Sequence, residues 1–345
     1  MKEKGFLRFV LEVLFVVIAM ITVISVCDTR RVFASDEANN HVGKKWHYLY
    51  QYAKQKKPID ILVIGNSHAY TGLIPELFQN GLNARCFVLA APGVQMDDCS
   101  DMLEEALTLI TPKLVILETF PINAYVQKDL DGQALSDQFH SFAQRRNIRL
   151  KLKSMFRLFR LENIPFAWSS TLRNHDIIFD LPDLLKYNLK HPSGPEYDPN
   201  EDYLGKYSRF KTGLTEKTLN RYKAEGAPVD GSVIKFGRDA ERATNRMLKM
   251  CSDKGIPVLF FTIPMYHEHV VNAEQWHDNL KPLIGNRLWL DLQLPSFDYQ
   301  FDPECFEDTY NSNQHLSIAG ASRTTQILVG FIQYVRSSSS LLGPE

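Results

Sequence analysis

Short apolar runs alternate with amphipathic segments along most of the chain. Five of these runs are rich in β-branched and aromatic residues, which is typical of strands that are covered on both faces. The segments between them carry apolar residues at helical spacing. The predicted strands are residues 59–64, 85–90, 114–118, 257–263 and 288–292, and the predicted helices are residues 75–80, 97–110, 238–253 and about 319–336.

This order of elements predicts the fold class. Strands that alternate with helices form a parallel sheet with helices on both faces, so we expect an α/β fold, a flavodoxin-like three-layer α/β/α sandwich over residues 35–336. The stretch at about 130–235 breaks the alternation and predicts an inserted cap region. Residues 337–345 are expected to form a flexible tail. Functional residues are expected at the carboxyl ends of the strands.

The longest apolar segment lies at the N-terminus. Residues 9–27 carry a single charge, Glu12, and are long enough to cross a hydrocarbon layer of ~30 Å as a helix. Glu12 follows Arg8 by four residues, a spacing at which the two side chains can pair. We predict that residues 1–34 anchor the chain in the cytoplasmic membrane with the body outside the cytoplasm. The alternative is a secreted protein, whose signal is cleaved after Ala34.

Composition and charge exclude several classes of protein. Of the 345 residues, 44% are hydrophobic and 23% charged, which is ordinary for a globular protein and unlike a collagen or a disordered chain. The 39 basic and 40 acidic residues leave a net charge of -1, so no nucleic-acid partner is expected. The five cysteines lack a C-x-x-C pair or zinc-type spacing, which predicts free thiols and no metal site.

A basic amphipathic segment lies within the predicted insertion. Residues 145–160 contain seven basic and no acidic residues. Two interpretations remain open. The basic face contacts a membrane surface or an anionic glycan, or the helix packs on the domain and leaves its basic face in solvent. On a helix, one face would carry Ile148, Leu152, Met155, Phe156 and Phe159, and another would carry Arg149, Lys153 and Arg157.

The first chemical motif follows the first predicted strand. Gly65, Asn66, Ser67 and His68 stand where the strand turns into a helix, so the serine hydroxyl is expected at the carboxyl edge of the sheet. Backbone N–H groups at such a turn can bind an oxyanion. The alternative is a turn in which Ser67 only caps the helix. No G-x-G-x-x-G or Gly-Lys-Ser/Thr follows this strand, which excludes a phosphate-binding loop.

A second motif, which contains His315, precedes the last predicted helix. A serine nucleophile needs a base to take its proton, and a histidine with a pKa near ~6.5 suits that role at neutral pH.

The roles of several other polar residues are open. Glu118 at a strand end either lines the pocket or bonds to the backbone. His267 and His269 should share one face and either bind a metal or lie in a solvent-facing loop, and the role of His175 is open.

Together the two motifs resemble those of the SGNH, or GDSL-like, hydrolase superfamily, in its branch of membrane-anchored bacterial envelope proteins. Residues 65–67 match the Gly-Asp-Ser motif, which makes Ser67 the nucleophile, and His315 matches the base of the Asp-x-x-His-Leu motif. Ser312 stands in place of the family's acid. Asp308, in a loop that can fold back, is therefore the predicted acid, and a dyad without an acid is the alternative.

The resemblance also implies a function. The backbone N–H groups of Ser67 and Gly93 and the side chain of Asn123 would form the oxyanion hole. The protein would be a serine acyl esterase or an O-acyltransferase that acts on an acylated envelope glycan. Acetyl is the first acyl group to consider. It would need no metal or organic cofactor, and a membrane-bound acyltransferase would be its partner. The alternative, which Ser312 favours, is a catalytically degenerate polysaccharide-binding or scaffold protein.

Overall fold

The computed structural model describes residues 2–29, 41–123, 132–173, 182, 213–311 and 314–338. Within them a sheet of five parallel strands runs in the order β2-β1-β3-β5-β7, which is the order of flavodoxin-like sheets. The five predicted strands are confirmed, and β4 and β6 form a separate parallel pair. The strands are β1 (Ile61–Gly65), β2 (Cys86–Ala90), β3 (Leu114–Glu118), β4 (Val229–Asp230), β5 (Val258–Thr262), β6 (Val270–Val271) and β7 (Trp289–Asp291).

Helices occupy most of the remaining described chain. The predicted helices are confirmed as α4, α5, α11 and α13. In chain order the α-helices are α1 (Lys2–Thr29), α2 (His41–Lys54), α3 (Ser67–Gly72), α4 (Pro75–Leu82), α5 (Met96–Leu109), α6 (Gly132–Gln144), α7 (Ile148–Leu158), α8 (Ile164–Trp168), α9 (Ser170–Arg173), α10 (Glu216–Glu225), α11 (Arg238–Ser252), α12 (Ala273–Ile284) and α13 (Ile318–Ser338).

Alternate residues of each sheet strand enter two separate cores. In β1, Leu62 and Ile64 belong to one apolar cluster, and Ile61 and Val63 belong to the other. Side chains of α2, α5, α11 and α12 complete the first cluster, and those of α4 and α13 complete the second. Since successive side chains of a strand point to opposite faces, helices cover both faces of the sheet. The described chain is thus an α/β protein of three layers.

The described part of the predicted insertion is helical and has its own apolar contacts. Helices α6 to α8 share a small buried cluster, separate from the two cores of the sheet. Because this cluster is separate from the two cores, we place these helices outside the three layers. There α6 packs against α2, and α7 packs against α5. Its buried members are Phe139, Phe142, Leu158, Phe159 and Ala167.

Several basic side chains on and beside α7 pair with acidic residues of α5. Arg145 lies 3.5 Å from Asp101 in a buried ion pair, and Arg157 also pairs with that aspartate. Lys153 Nζ is 2.6 Å from Glu104 Oε1. The helix therefore packs on the domain, as in the second interpretation, and its basic face is only partly in solvent: Arg149 and Lys153 are exposed, whereas Arg157 is partly buried in its ion pair. The acidic residues of α5, about fifty positions earlier in the chain, account for this orientation.

The N-terminal helix has the length and composition of a membrane span. Among the described residues, Phe6–Thr29 is the helix that is apolar and long enough to cross a membrane, a test that a signal sequence also passes. The predicted pair of Arg8 and Glu12 forms at 2.9 Å. At the far end, Asp28 Oδ1 accepts a hydrogen bond from the backbone N–H of Thr171 on α9 at 2.8 Å. The predicted cleavage site after Ala34 lies outside the described residues, as do residues 339–345 of the predicted tail.

The five cysteines are free thiols, as predicted. Burial raises the pKa of Cys86, Cys99, Cys251 and Cys305 above the ordinary thiol value. Since the thiolate is the reactive form, these four side chains act as small apolar groups of the core.

Candidate active site

Ser67 is the first residue of α3, directly after β1. Asn66, and not Ser67, caps this helix, since the Oδ1 atom of Asn66 accepts a hydrogen bond from the N–H of His68 at 3.0 Å. Gly65 is required by close packing, because a Cβ at this position would lie 2.7 Å from the Cβ of Glu118. The turn therefore holds the serine at the carboxyl end of β1, an interior strand of the sheet, where the sequence places it.

Glu118 fastens this turn to the neighbouring strand β3. Its side chain is buried, Oε1 accepts the N–H of Phe120 at 2.6 Å, and the backbone N–H of Asn66 also donates to this carboxyl. Burial raises the pKa of Glu118 to about 8, although both hydrogen bonds act in the opposite direction. The sequence left open whether Glu118 lines the pocket or bonds to the backbone. The structure shows that it bonds to the backbone. Glu118 supports the turn that carries Ser67.

His315 is paired with Glu307. Its Nδ1 atom lies 2.7 Å from Glu307 Oε1, and the same oxygen accepts the backbone N–H of His315 at 2.9 Å. The N–H of Glu307 in turn donates to the carbonyl oxygen of His315 at 2.9 Å, next to an antiparallel bridge between Phe306 and Leu316. A carboxylate at Nδ1 sets the orientation of the ring and leaves Nε2 for proton transfer.

Asp308 is not the acid that contacts His315, so the prediction for this residue is wrong. Its Oδ1 atom accepts hydrogen bonds from the hydroxyls of Thr218, at 2.6 Å, and Thr215, at 3.0 Å, at the start of α10. Partial burial acts to raise the pKa of Asp308, but these bonds lower it overall. Asp308 lies at a bend, where the N–H of Thr309 donates to the carbonyl oxygen of Glu307 at 2.9 Å, and this bend turns one carboxylate to the histidine and the next to α10. Ser312 lies outside the described residues.

The two motifs meet through their histidine rings. The centroid of the His68 ring lies 5.1 Å from that of His315 and 3.9 Å from that of Phe120, on which it stacks. Burial, followed by the nearby His315 and His269, lowers the pKa of His68 well below the ordinary value, so this ring is neutral at pH 7. Among the contacts that the structure describes, this pair of rings connects the segment around Ser67 with the segment around His315. A hydrogen bond from Ser67 Oγ to His315 stays a prediction.

The predicted oxyanion donors follow the two strands that flank β1. Gly93 adopts a φ of 69°, which favours glycine, in the turn between β2 and α5, and its carbonyl accepts from Gln95 Nε2 at 3.2 Å. Asn123 ends the 3-10 turn Phe120–Asn123 after β3, and its side chain lies outside the described residues. The topology thus brings both segments to the edge that carries Ser67. Their role in binding an oxyanion stays a prediction.

The remaining histidines of the sequence analysis do not form a shared face. His267 is exposed, whereas His269 is buried with Nδ1 2.9 Å from the hydroxyl of Tyr222. Burial lowers the pKa of His269 to about 4. Within the described ranges, no group of three or more His, Cys, Asp or Glu side chains is arranged to hold a metal ion. His175 lies outside those ranges.

The crossing of two segments explains why Glu307 reaches His315. A Cβ at Gly320, in the first turn of α13, would overlap the carbonyl oxygen of Cys305, so only glycine allows this approach. That oxygen accepts the N–H of Ser317 at 2.9 Å. Sequence reasoning missed Glu307, and the signal for it was the glycine just inside the last helix. A glycine there indicates that another segment passes close to the helix. It does not identify the carboxylate that this segment places beside His315.

Comparison with known protein families gives no matching family for this chain, and comparison with curated proteins gives no match either. The resemblance to SGNH hydrolases therefore rests on the motif residues alone. The site itself is a serine at a strand-to-helix turn, next to a carboxylate–histidine pair that precedes the last helix.

Proposed function

We propose that this protein is an SGNH-type serine acyl esterase or O-acyltransferase that acts on an acylated cell-envelope glycan. The observation that carries the proposal is the pair of Glu307 and His315, with Nδ1 and Oε1 2.7 Å apart, beside the helix that begins at Ser67. A carboxylate–imidazole pair next to a serine is the usual machinery of acyl transfer without a metal. In this proposal Glu307 supplies the acid that the sequence motif lacks.

In the proposed mechanism Ser67 Oγ attacks the acyl carbonyl carbon while His315 Nε2 takes the hydroxyl proton. Glu307 stabilises the imidazolium that forms. The negative charge on the carbonyl oxygen is bound by backbone N–H groups, for which Ser67 and Gly93 are the candidates. The tetrahedral intermediate then collapses, the ester C–O bond breaks, and His315 returns the proton to the departing alkoxide. This leaves an acyl group on Ser67.

The second half of the reaction decides between the two activities. If water attacks the acyl-serine, the protein is an esterase, and if a sugar hydroxyl attacks, it is an O-acyltransferase. The N-terminal helix is proposed to anchor the body on the outer side of the cytoplasmic membrane, where an envelope glycan is accessible. A membrane-bound acyltransferase is the proposed partner, as the supplier of acyl groups. No metal or organic cofactor enters the proposed steps.

Labelling by a fluorophosphonate probe tests the proposal, because the probe reacts with a serine only when a base activates its hydroxyl. The full-length chain in detergent should be labelled, and Ser67→Ala and His315→Ala should abolish the labelling. Glu307→Gln should lower the labelling rate by about 10² to 10⁴, since the imidazolium loses its partner charge.

Asp308→Asn is the matched control, because it removes the adjacent carboxylate, whose bonds go to the hydroxyls of Thr215 and Thr218. This variant should keep the labelling rate within about twofold. Wild-type protein that is not labelled, or labelling that survives Ser67→Ala, would overturn the proposal. Release of p-nitrophenol from p-nitrophenyl acetate, with and without added oligosaccharide acceptors, then separates the esterase from the transferase.

A second candidate is a non-catalytic SGNH-like module that binds polysaccharide or serves as a scaffold for an acylation system. It is favoured by the ring contact at the site, in which the ring centroid of His68, the residue after Ser67, lies 5.1 Å from that of His315. A stacked neutral imidazole in this position suits binding better than proton transfer. Retained binding to an acetylated glycan by the Ser67→Ala variant, together with unlabelled wild-type protein, would support this candidate.

A further inference from the structure

Helix α7 presents an apolar face to solvent. Ile148, Leu152 and Phe156 follow one another at intervals of four residues, and they are 64%, 52% and 61% exposed. Such a stripe runs for about 12 Å along one side of a helix. We call these three side chains the α7 outer face. The neighbouring side of the helix carries the basic face, from which Lys153 and Arg157 pair with α5. Large apolar side chains grouped on a solvent-facing helix usually mark a contact surface.

This face is connected to the end of the transmembrane-length helix α1. Asp28, in the last turn of α1, accepts hydrogen bonds from the hydroxyls of Ser170, at 2.9 Å, and Thr171, at 2.7 Å. Both residues belong to α9, which follows α8 directly and packs against it. The last residue of α8 is Trp168. The end of the apolar helix is therefore held next to α8.

Trp168 continues the connection to α7. Its ring is 46% exposed and lies 5.1 Å below the Nζ atom of Lys151, a residue of α7. Leu161, between α7 and α8, is 74% exposed. Tryptophan prefers the interfacial region of a bilayer, and basic side chains such as the exposed Arg149 suit lipid phosphates. A series of contacts thus runs from the end of α1 through α9 and Trp168 to Lys151 of α7, the helix that carries the outer face. This region has the composition of a membrane-surface helix.

We propose that the α7 outer face and Trp168 lie in the interfacial region of the bilayer that α1 spans, and hold the body against the lipid surface. The proposal rests on α1 as a membrane helix and does not depend on the chemistry of Ser67. Lipid is favoured over a protein partner because α7 is connected, through Trp168 and α9, to the helix that enters the membrane.

Tryptophan fluorescence tests this placement. The chain has four tryptophans, of which Trp46 and Trp276 are buried and Trp289 is partly buried in the α/β layers, and α1 contains none. The full-length chain is reconstituted in vesicles of phosphatidylcholine and phosphatidylglycerol, with or without acyl chains brominated near the headgroup. Brominated lipid should quench the emission. Trp168→Phe should remove most of that quenching, because the other rings lie inside the protein.

A triple variant tests the α7 outer face itself. Ile148→Gln, Leu152→Gln and Phe156→Gln together should reduce the quenching of Trp168 at least about twofold, since the body would then leave the interface. The matched control replaces three exposed apolar or aromatic residues elsewhere and should leave the quenching unchanged. Far-UV circular dichroism confirms that each variant is folded. The control positions are Val233→Gln, Tyr299→Gln and Tyr334→Gln.

Two results would overturn the proposal. Equal quenching in wild type and Trp168→Phe would show that this ring does not contact lipid. A triple variant that changes from dimer to monomer in nanodiscs, with Trp168 never quenched, would show that the face binds a second copy of the chain.

Discussion

Replacing Glu118 by glutamine is expected to remove a pH dependence of folding that the buried carboxyl creates. In the folded chain this carboxyl keeps its proton up to a pH of about 8, whereas its ordinary value is 4.5. Between these values the unfolded chain releases the proton and the folded chain does not, so rising pH favours unfolding. The contribution of Glu118 to the stability of the folded chain is therefore fully present below the unfolded pKa of 4.5. It is lost as the pH rises toward the folded pKa of about 8.

The size of the effect follows from the difference in pKa. Each unit corresponds to about 1.4 kcal/mol, so between about pH 5 and about pH 8 the wild type should lose ~3 kcal/mol relative to a side chain that does not titrate. Glutamine is such a side chain, with nearly the same size and an oxygen that can still accept the N–H of Phe120. The difference in unfolding free energy between wild type and Glu118→Gln should therefore change by that amount.

Urea unfolding of the full-length chain in detergent, followed by circular dichroism at several pH values, measures this difference. Subtracting the variant from the wild type removes the contribution of the histidines, which titrate in the same range. Glu241→Gln, at an exposed position of α11, is the control and should give a difference that does not vary with pH. A Glu118→Gln difference that changes by less than about 0.5 kcal/mol across the range would refute the reasoning.

Three further substitutions probe the packing. Gly65→Ala should cost about 2 kcal/mol in urea unfolding, because the new Cβ would lie 2.7 Å from a Cβ of β3, and a cost near zero would contradict this account. Asp101→Asn leaves Arg145 buried without its charge partner and should cost ~3 kcal/mol, against ~0.5 kcal/mol for Asp239→Asn in an exposed pair. Gly320→Ala should slow fluorophosphonate labelling more than about tenfold, and unchanged labelling would exclude a role of the crossing in positioning the histidine.

The layers of the fold could be predicted because their signals are local. A strand that is covered on both faces must be apolar over consecutive positions, and each of the five predicted runs is a strand whose ends lie within two residues of the prediction. Ser67 was placed correctly for the same reason, since a glycine and a helix cap immediately surround it.

The acid of the site could not be predicted because the choice depends on long-range geometry. Glu307 and Asp308 are adjacent, and either could serve on chemical grounds. Which of them faces His315 is decided by the bridge between Phe306 and Leu316 and by the crossing at Gly320. If the pairing of this bridge were shifted by one residue, Asp308 would take the place of Glu307 beside His315.

The orientation of α7 was missed for a related reason. Its sequence shows a basic face and an apolar face, and burial of the apolar face is the usual expectation. The acidic side chains of α5, Asp101 and Glu104, bind Lys153 and Arg157 of the basic face, and part of the apolar face stays in solvent. No property of residues 145–160 alone identifies these partners.

The order of strands in the sheet has a consequence for the timing of events during synthesis. β1 lies between β2 and β3, so the first 118 residues of the chain contain the serine and both of its neighbouring strands. The proposed base, His315, precedes α13 and is synthesised after all five strands of the sheet. A serine hydroxyl without a base does not react with esters. On the proposed mechanism the growing chain therefore carries an inert nucleophile, and it becomes reactive only after the segment around His315 has been made and has docked.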